Sequence, residues 1–359
     1  MKWPTHGSNP HFLYEAVNIE MPKSVIDFSA NINPLGPPAI VKDKWNELFP
    51  FVVDYPDPTA AKLTSLLARK ENVTEKQILV GNGGAELISL VGRMLSGKKT
   101  LIVQPAFSEY EEACRVNQCE IHYHLMDVEN WDLRLEELLL NIREADAVFL
   151  CNPNNPTGMF FSKQTIELLA TECSKYKTLF IVDEAFYDFV EGYESIVSCL
   201  NHCEGMIILR SMTKMFSIPG IRLGYMIANV DLLNQIRASK PHWSVNAIAL
   251  KVGEWCLTEE NHINQSIQLI KHEREKLMDF YHTQGFSYSP SDVNYYLLRD
   301  RQIEDQYPFF LFLMKKGIIP RHTLNFPGLV GKWLRLAIKG PTEHERLIEV
   351  MKEWRKVGN

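Results

Sequence analysis

The sequence predicts an α/β protein: a large domain on a mostly parallel sheet, followed by a smaller α+β domain. Short apolar, β-branched runs alternate with longer amphipathic stretches through the middle of the chain, as expected of strands joined by helical crossovers. Beyond about residue 250 this gives way to long charged helical stretches and a few short strands. With 359 residues, the chain can form a large domain plus a small one.

The start carries Pro4, Pro10, Pro22, Pro34, Pro37 and Pro38, and a stretch so punctuated reads as an extended arm. Residues 1–40 are assigned to this arm and part of the small domain, 41–248 to the large domain, and 249–359 to the small domain. Strands are expected at Gln77–Val80, Thr100–Gln104, Glu120–Leu125, Ala147–Cys151, Leu179–Asp183, Met206–Arg210 and Leu223–Ala228. Helical patterns lie at Ala85–Leu95, Lys163–Tyr176 and Asp231–Ala238. The last two strands follow each other too closely for a helical crossover, so the final one is expected to run antiparallel. The small domain should hold a charged helix through Lys271–Thr283, strands near Tyr295–Arg299 and Trp333–Ile338, and a closing helix at Glu343–Val357. No internal repeat is visible.

Composition narrows the function classes. Hydrophobic residues make up 45% and charged residues 23%, ordinary values for a globular protein with a full core. A net charge of −6 offers no broad basic field for nucleic acid. A phosphorylated small molecule would have to be captured locally, by placed arginines and backbone amides. No apolar stretch approaches the roughly 18–20 residues that span a bilayer, and MKWPTHGSNPHF lacks the order of a signal peptide. The seven cysteines contain no C-x-x-C pair, so they read as reduced core thiols of a cytoplasmic protein with no metal centre.

Four strings carry chemistry. Ser211-Met212-Thr213-Lys214 follows a strand, and Arg222 lies eight residues beyond the lysine. A lone lysine at a strand end is commonly a solvated charge. Here the flanking Met215-Phe216-Ser217-Ile218-Pro219-Gly220 is apolar and turn-forming, so Lys214 is expected to face a cleft. A desolvated lysine near another cation loses its proton readily, as Schiff-base chemistry requires. Ser211, Thr213 and Arg222 add two hydroxyls and a guanidinium fork, a suitable set for a phosphate.

The second string, Gly81-Asn82-Gly83-Gly84-Ala85-Glu86, joins a strand to a helix. It is not a dinucleotide fingerprint, because Glu86 stands where the third glycine belongs. Small residues opening a helix nevertheless leave its first N–H groups open to phosphate. The third is Asn152-Pro153-Asn154-Asn155-Pro156-Thr157-Gly158. The fourth, Asp183-Glu184-Ala185-Phe186, puts an aspartate at the carboxyl end of a strand, where open α/β sheets bind ligands. Each alone can be an ordinary turn.

Together, in this order, they resemble the class I/II aminotransferase family of pyridoxal 5′-phosphate enzymes, which have the aspartate-aminotransferase-like fold (fold type I). S-x-[ST]-K-x7-R resembles its cofactor-lysine motif and N-P-x-N-P-T-G its asparagine motif, and the likeness spans roughly residues 30–340. The resemblance implies that Lys214 carries the cofactor and that Gly83, Gly84, Ala85, Ser211, Thr213 and Arg222 hold its phosphate. It also implies that Asn155 bonds the phenolic oxygen and that Asp183 keeps the ring nitrogen protonated, which makes the ring an electron sink. Phe107 matches the aromatic residue stacked on the ring. Tyr55, in Tyr55-Pro56-Asp57-Pro58, matches a tyrosine that reaches the phosphate from a neighbouring subunit, which implies a homodimer with shared active sites.

Fold alone does not choose among the reactions of this cofactor. Two groups within the family compare closely, the threonine-phosphate decarboxylases and the histidinol-phosphate aminotransferases. His6-Gly7-Ser8-Asn9 resembles the H-G-G-N start of the decarboxylases, with Ser8 replacing a glycine, and Asp27-Phe-Ser-Ala-Asn31-Ile-Asn33-Pro34 resembles their D-F-S-A-N-I-N-P. Ile218-Pro219-Gly220 stands where the aminotransferases usually carry L-A-G, and Trp243-Ser-Val-Asn246 and Asn325-Phe326-Pro-Gly328-Leu329 also fit the decarboxylases. Phe186 stands where those aminotransferases usually have a tyrosine that bonds the phenolic oxygen. Losing such a bond to an anion costs about 1.5–3 kcal/mol, and neighbouring Tyr187 is expected to project elsewhere.

By the same resemblance Arg335 binds the substrate α-carboxylate, while Arg321, His6, Asn9 and Asn33 are candidates for gripping a substrate phosphate. The expected reaction is decarboxylation of L-threonine-O-3-phosphate to 1-aminopropan-2-ol phosphate, a step of cobalamin biosynthesis. The alternative is transamination of the histidinol-phosphate type, with glutamate or 2-oxoglutarate. A third reading, a non-catalytic effector-sensing domain fused to a DNA-binding head, finds no helix-turn-helix module before residue 30 and no basic stretch.

Overall fold

The computed structural model describes residues 7–357. Helix α1 (Pro10–Val17) and the two-residue strand β1 (Ile26–Asp27) come first. The short helix α2 (Ala39–Asp43), a 3-10 stretch at Trp45–Val52 and helix α3 (Ala61–Glu71) lead into the central sheet. The strands of that sheet are β2 (Ile78–Gly81), β3 (Lys99–Gln104), β4 (Glu120–Leu125), β5 (Ala147–Cys151), β6 (Leu179–Asp183), β7 (Met206–Ser211) and β8 (Gly224–Ala228). Its helices are α4 (Gly83–Met94), α5 (Ser108–Val116), α6 (Leu135–Ile142), α7 (Lys163–Tyr176) and α8 (Val230–Arg237). The spatial order is β2-β8-β7-β6-β5-β3-β4. Every pairing is parallel except those of β8, which runs antiparallel to both β7 and β2, as its short connection requires.

Successive side chains along a strand point to opposite faces, and in the interior strands β3, β5 and β6 both faces are buried. Leu101, Val103, Val148, Leu150, Phe180 and Val182 join one core. Ile102, Phe149 and Ile181, the residues between them, join the other, against α4 and α5. Arg210 on β7 is buried between Glu184 and Glu71, and so ties the sheet to α3. Removing one partner of a buried ion pair typically costs about 3–5 kcal/mol.

The remaining elements are α9 (Ala247–Cys256), α10 (Glu260–Thr283), β9 (Phe286–Tyr288), β10 (Tyr295–Asp300), α11 (Tyr307–Lys315), β11 (Ile318–Ile319), β12 (Arg321–His322), β13 (Leu334–Ala337) and α12 (Pro341–Val357). Four of these strands form an antiparallel sheet in the order β12-β13-β10-β9. The first strand, β1, pairs in parallel with β11. Tyr14 Oη of α1 donates to Met314 O at 2.7 Å, and Ala337 N to Phe28 O at 2.8 Å.

The extended-arm expectation needs correction: residues 10–17 are helical. Pro10 occupies the first turn, where its missing N–H costs nothing and its fixed φ suits a helix. No helix among the described residues is long and apolar enough to cross a membrane. Trp45, Phe49, Val52, Val53 and Tyr55 leave an apolar face exposed on this chain.

Candidate active site

Strands β2, β3, β5, β6 and β7 end on one edge of the sheet, and a cleft of about 350 Å³ opens there. Gly84 and Ala85 at the start of α4 line it, with Phe107 from the turn after β3 and Asn155 from the turn after β5. Asp183 and Phe186 come from the end of β6, and Ser211, Thr213, Lys214 and Arg222 from the β7–β8 connection. The C-terminal sheet contributes Arg321 and Arg335 as the opposite wall. Gly83 backs this cradle with φ +75, and a Cβ there would fall 2.7 Å from Arg222 Nη2. Only glycine meets both the conformation and the close approach.

Lys214 is half-buried at the head of the cleft. Burial, then the nearby Arg335 and Arg222, push its amine down to about 8, while Asp183 opposes them. Asp183 is buried and accepts hydrogen bonds from Tyr110 Oη at 2.6 Å and from Ala185 N at 2.9 Å. Burial raises its carboxyl above the ordinary range, against these two bonds and Lys214. Arg335 Nη1 donates to Asn155 Oδ1 at 2.5 Å, and Nη2 to Ser29 O at 2.7 Å. The first of these orients the Asn155 amide with Nδ2 available as a donor. Arg335 Nε is buried with no acceptor among the described residues.

Burial pushes Arg335 down to about 10, and burial together with Arg335 pushes Arg321 down to about 9. Two guanidinium groups crowded in a low-dielectric wall favour an anionic ligand. Phe186 presents its ring 6.0 Å from Lys214 Nζ. Tyr187 points away, with its ring 3.6 Å from the Arg210 guanidinium and its hydroxyl 3.5 Å from that of Tyr225. It offers nothing to the cleft, as expected from the sequence.

Asn33 is a correction. Its Nδ2 donates to Met215 O and Ser266 Oγ, both at 2.7 Å, and its Oδ1 accepts from Leu35 N at 3.1 Å. The amide is consumed in tying the segment after Lys214 to α10, and it does not line the cleft. Asn9 precedes α1 and lines a small crevice beside the cleft, together with Gly7, Ser8 and Arg321. His6 lies outside the described residues. Tyr55 is 84% exposed and stands clear of this chain's cleft, its ring 5.0 Å from that of Trp243. Sequence reasoning missed Tyr110, although its place three residues beyond Phe107 puts it on the first turn of the helix that Phe107 caps.

The family model for aminotransferase class I and II matches residues 23–351. The chain belongs to the class I and II aminotransferase family. A threonine-phosphate decarboxylase of Salmonella typhimurium is 32% identical over 353 residues, which cover 97% of this chain and 95% of that one. A histidinol-phosphate aminotransferase of Desulfitobacterium hafniense is 33% identical, over 92% of this chain and 93% of the other. Among solved structures, the histidinol-phosphate aminotransferase of Clostridium acetobutylicum aligns with a TM-score of 0.86 at 29% identity, covering 92% of this chain and 98% of that one.

Class I and II aminotransferases work with pyridoxal 5′-phosphate, and the cleft fits that group. Helix N–H groups, two hydroxyls and Arg222 would make a set suited to a phosphate, in a cradle where Gly83 permits the close approach of Arg222. A buried carboxylate, which burial disfavours unless a cation or donors face it, suits a protonated ring nitrogen, and a lysine with a lowered pKa suits an aldehyde. Because only the neutral amine attacks the aldehyde, covalent uptake of the cofactor by apoprotein should accelerate about tenfold per pH unit below about 8 and level off above it. Stopped-flow absorbance measures this. A rate still climbing near the ordinary lysine value would show that the cleft does not lower the Lys214 pKa.

Proposed function

We propose that the chain is a pyridoxal-phosphate-dependent carboxy-lyase that converts L-threonine-O-3-phosphate to 1-aminopropan-2-ol phosphate. The observation that carries this reading is the pair of buried arginines, Arg335 and Arg321, facing the Lys214 cleft. An amino acid with a carboxylate and a phosphate on one short skeleton supplies an anion for each. Phe186 and the likeness to the Salmonella decarboxylase support the same choice.

Arg335 would hold the carboxylate and Arg321 the phosphate, with Ser8 and Asn9 at the rim. Gripping both ends stops the skeleton from rotating and so fixes which bond at the α-carbon is broken. Asp183 would hold a proton at the ring nitrogen, Asn155 would donate to the phenolic oxygen, and Phe107 would cover the ring. When bound, pyridoxal 5′-phosphate supplies the sink for the electron pair left as carbon dioxide departs. Lys214 would deliver a proton to the α-carbon afterwards. The exposed apolar stretch from Trp45 to Tyr55 supports a homodimer in which Tyr55 serves the neighbouring site. Six buried cysteine thiols and one half-buried thiol, none in a disulfide, support a cytoplasmic location.

The Desulfitobacterium relative favours a second reading, transamination of the histidinol-phosphate type with glutamate as amino donor. The test is carbon dioxide release from L-threonine-O-3-phosphate by the purified, cofactor-loaded protein. Multiple-turnover release is expected. No release, with glutamate converting the bound cofactor to its pyridoxamine form, would replace the decarboxylase with the aminotransferase.

A further inference from the structure

Tyr110 lies on the first turn of α5, fully buried in the wall of the cleft. Its ring is clamped: Phe149 of β5 stacks on it with centroids 5.2 Å apart, and Phe107 meets it edge-on at 5.9 Å. So held, the hydroxyl is aimed at Asp183 Oδ2, to which it donates at 2.6 Å. No other side chain among the described residues donates a hydrogen bond to Asp183; its second donor is the backbone N–H of Ala185. The other titratable neighbours of the carboxylate are Cys151, Lys214 and Tyr295.

We propose that Tyr110 is a positioning residue whose hydroxyl fixes both the direction and the basicity of the Asp183 carboxylate, and through it the charge held on the ring nitrogen of the bound cofactor. The inference rests on the pyridoxal-phosphate reading of the cleft. A buried carboxylate with no donor tends to take up a proton and become a neutral acid, useless to a cationic ring. A short bond to an ionised acceptor opposes this and leaves the remaining lone pairs for the ring nitrogen. Burial raises the Asp183 pKa, and the Tyr110 bond leads the interactions that oppose the rise. Phe107 lines the same cleft, so the N-terminal end of α5 and its capping residue would hold the ring face with one side chain and the partner of its nitrogen with another.

The test compares wild type with Tyr110→Phe, which removes only the hydroxyl, and with Phe149→Leu, which removes the stacking partner but keeps the hydroxyl. Each apoprotein is titrated with pyridoxal 5′-phosphate, and the visible absorption of each holoprotein is followed against pH. Tyr110→Phe should weaken cofactor binding by about tenfold or more. It should also move the midpoint of the visible titration upward by about half a unit or more. The sign follows from the charges: a more basic Asp183 draws more of the shared proton, the ring becomes less positive, and the Lys214 nitrogen keeps its proton to higher pH.

Phe149→Leu should lower the melting temperature and move the midpoint less than Tyr110→Phe does, because the hydroxyl is kept and Phe107 still holds one side of the ring. An unchanged midpoint and affinity in Tyr110→Phe would overturn the inference, and so would an equal midpoint shift in Phe149→Leu. Absence of any visible band in wild type would overturn the cofactor reading itself, an outcome distinct from failure of Tyr110 alone.

Discussion

Replacing Lys214 with alanine should lower multiple-turnover carbon dioxide release by at least about 10⁴-fold, the upper end of what a positioned proton-transfer group contributes. The loss should be larger still, because the same substitution removes the covalent anchor. The fold should survive, since the lysine side chain lies on a cleft wall and not in either core. Cofactor should still associate through the phosphate set of Gly84, Ala85, Ser211, Thr213 and Arg222. Borohydride should fix cofactor to wild type and not to Lys214→Ala. Turnover within tenfold of wild type would remove Lys214 from the chemistry in both the decarboxylase and the aminotransferase readings.

The second large effect concerns the arginine wall. Arg335→Leu should lower kcat/KM for L-threonine-O-3-phosphate on the order of 10²–10³-fold, because truncating one side of a buried, hydrogen-bonded charge pair costs about 2–5 kcal/mol. Arg335→Lys should recover little of this, since an ammonium cannot reproduce the guanidinium fork that bonds Asn155 and Ser29. Arg321→Leu should behave differently. It should erode the preference for threonine phosphate over unphosphorylated threonine, measured as the ratio of their kcat/KM values. An unchanged ratio would move the phosphate grip elsewhere, with Ser8 and Asn9 next in line.

The central sheet was legible in the sequence because its strands other than the edge strand β4 are short apolar runs, largely buried on both faces and bounded by turn residues. The antiparallel course of β8 followed from one short connection. Most of the residues now gathered at the cleft were legible too, because the carboxyl ends of parallel strands collect whatever lies in the following turns. Other features depend on the tertiary fold. Pro10 reads as a helix breaker until its place in the first turn of α1 is known. Asn33 sits in a string that resembles a substrate-binding segment, and only the fold shows its amide already spent on Met215, Ser266 and Leu35. Tyr110 looks like a core aromatic, and it is one, except that the clamp formed by Phe149 and Phe107 aims its hydroxyl at a carboxylate 73 residues away.

The pairing of β1 with β11 has a consequence for how the protein is made. The hydrogen bond from Arg335 to Ser29 O spans 306 residues. At ribosomal rates of about 5–20 residues per second, roughly 15–60 s separate the emergence of its two ends. During that interval the strands from β2 to β8 can assemble, while α1 and β1 wait without their partners and carry Leu13 and Phe28 uncovered. A nascent chain arrested before β13 would hold the cofactor cradle and Lys214 but have no Arg335 to grip a carboxylate.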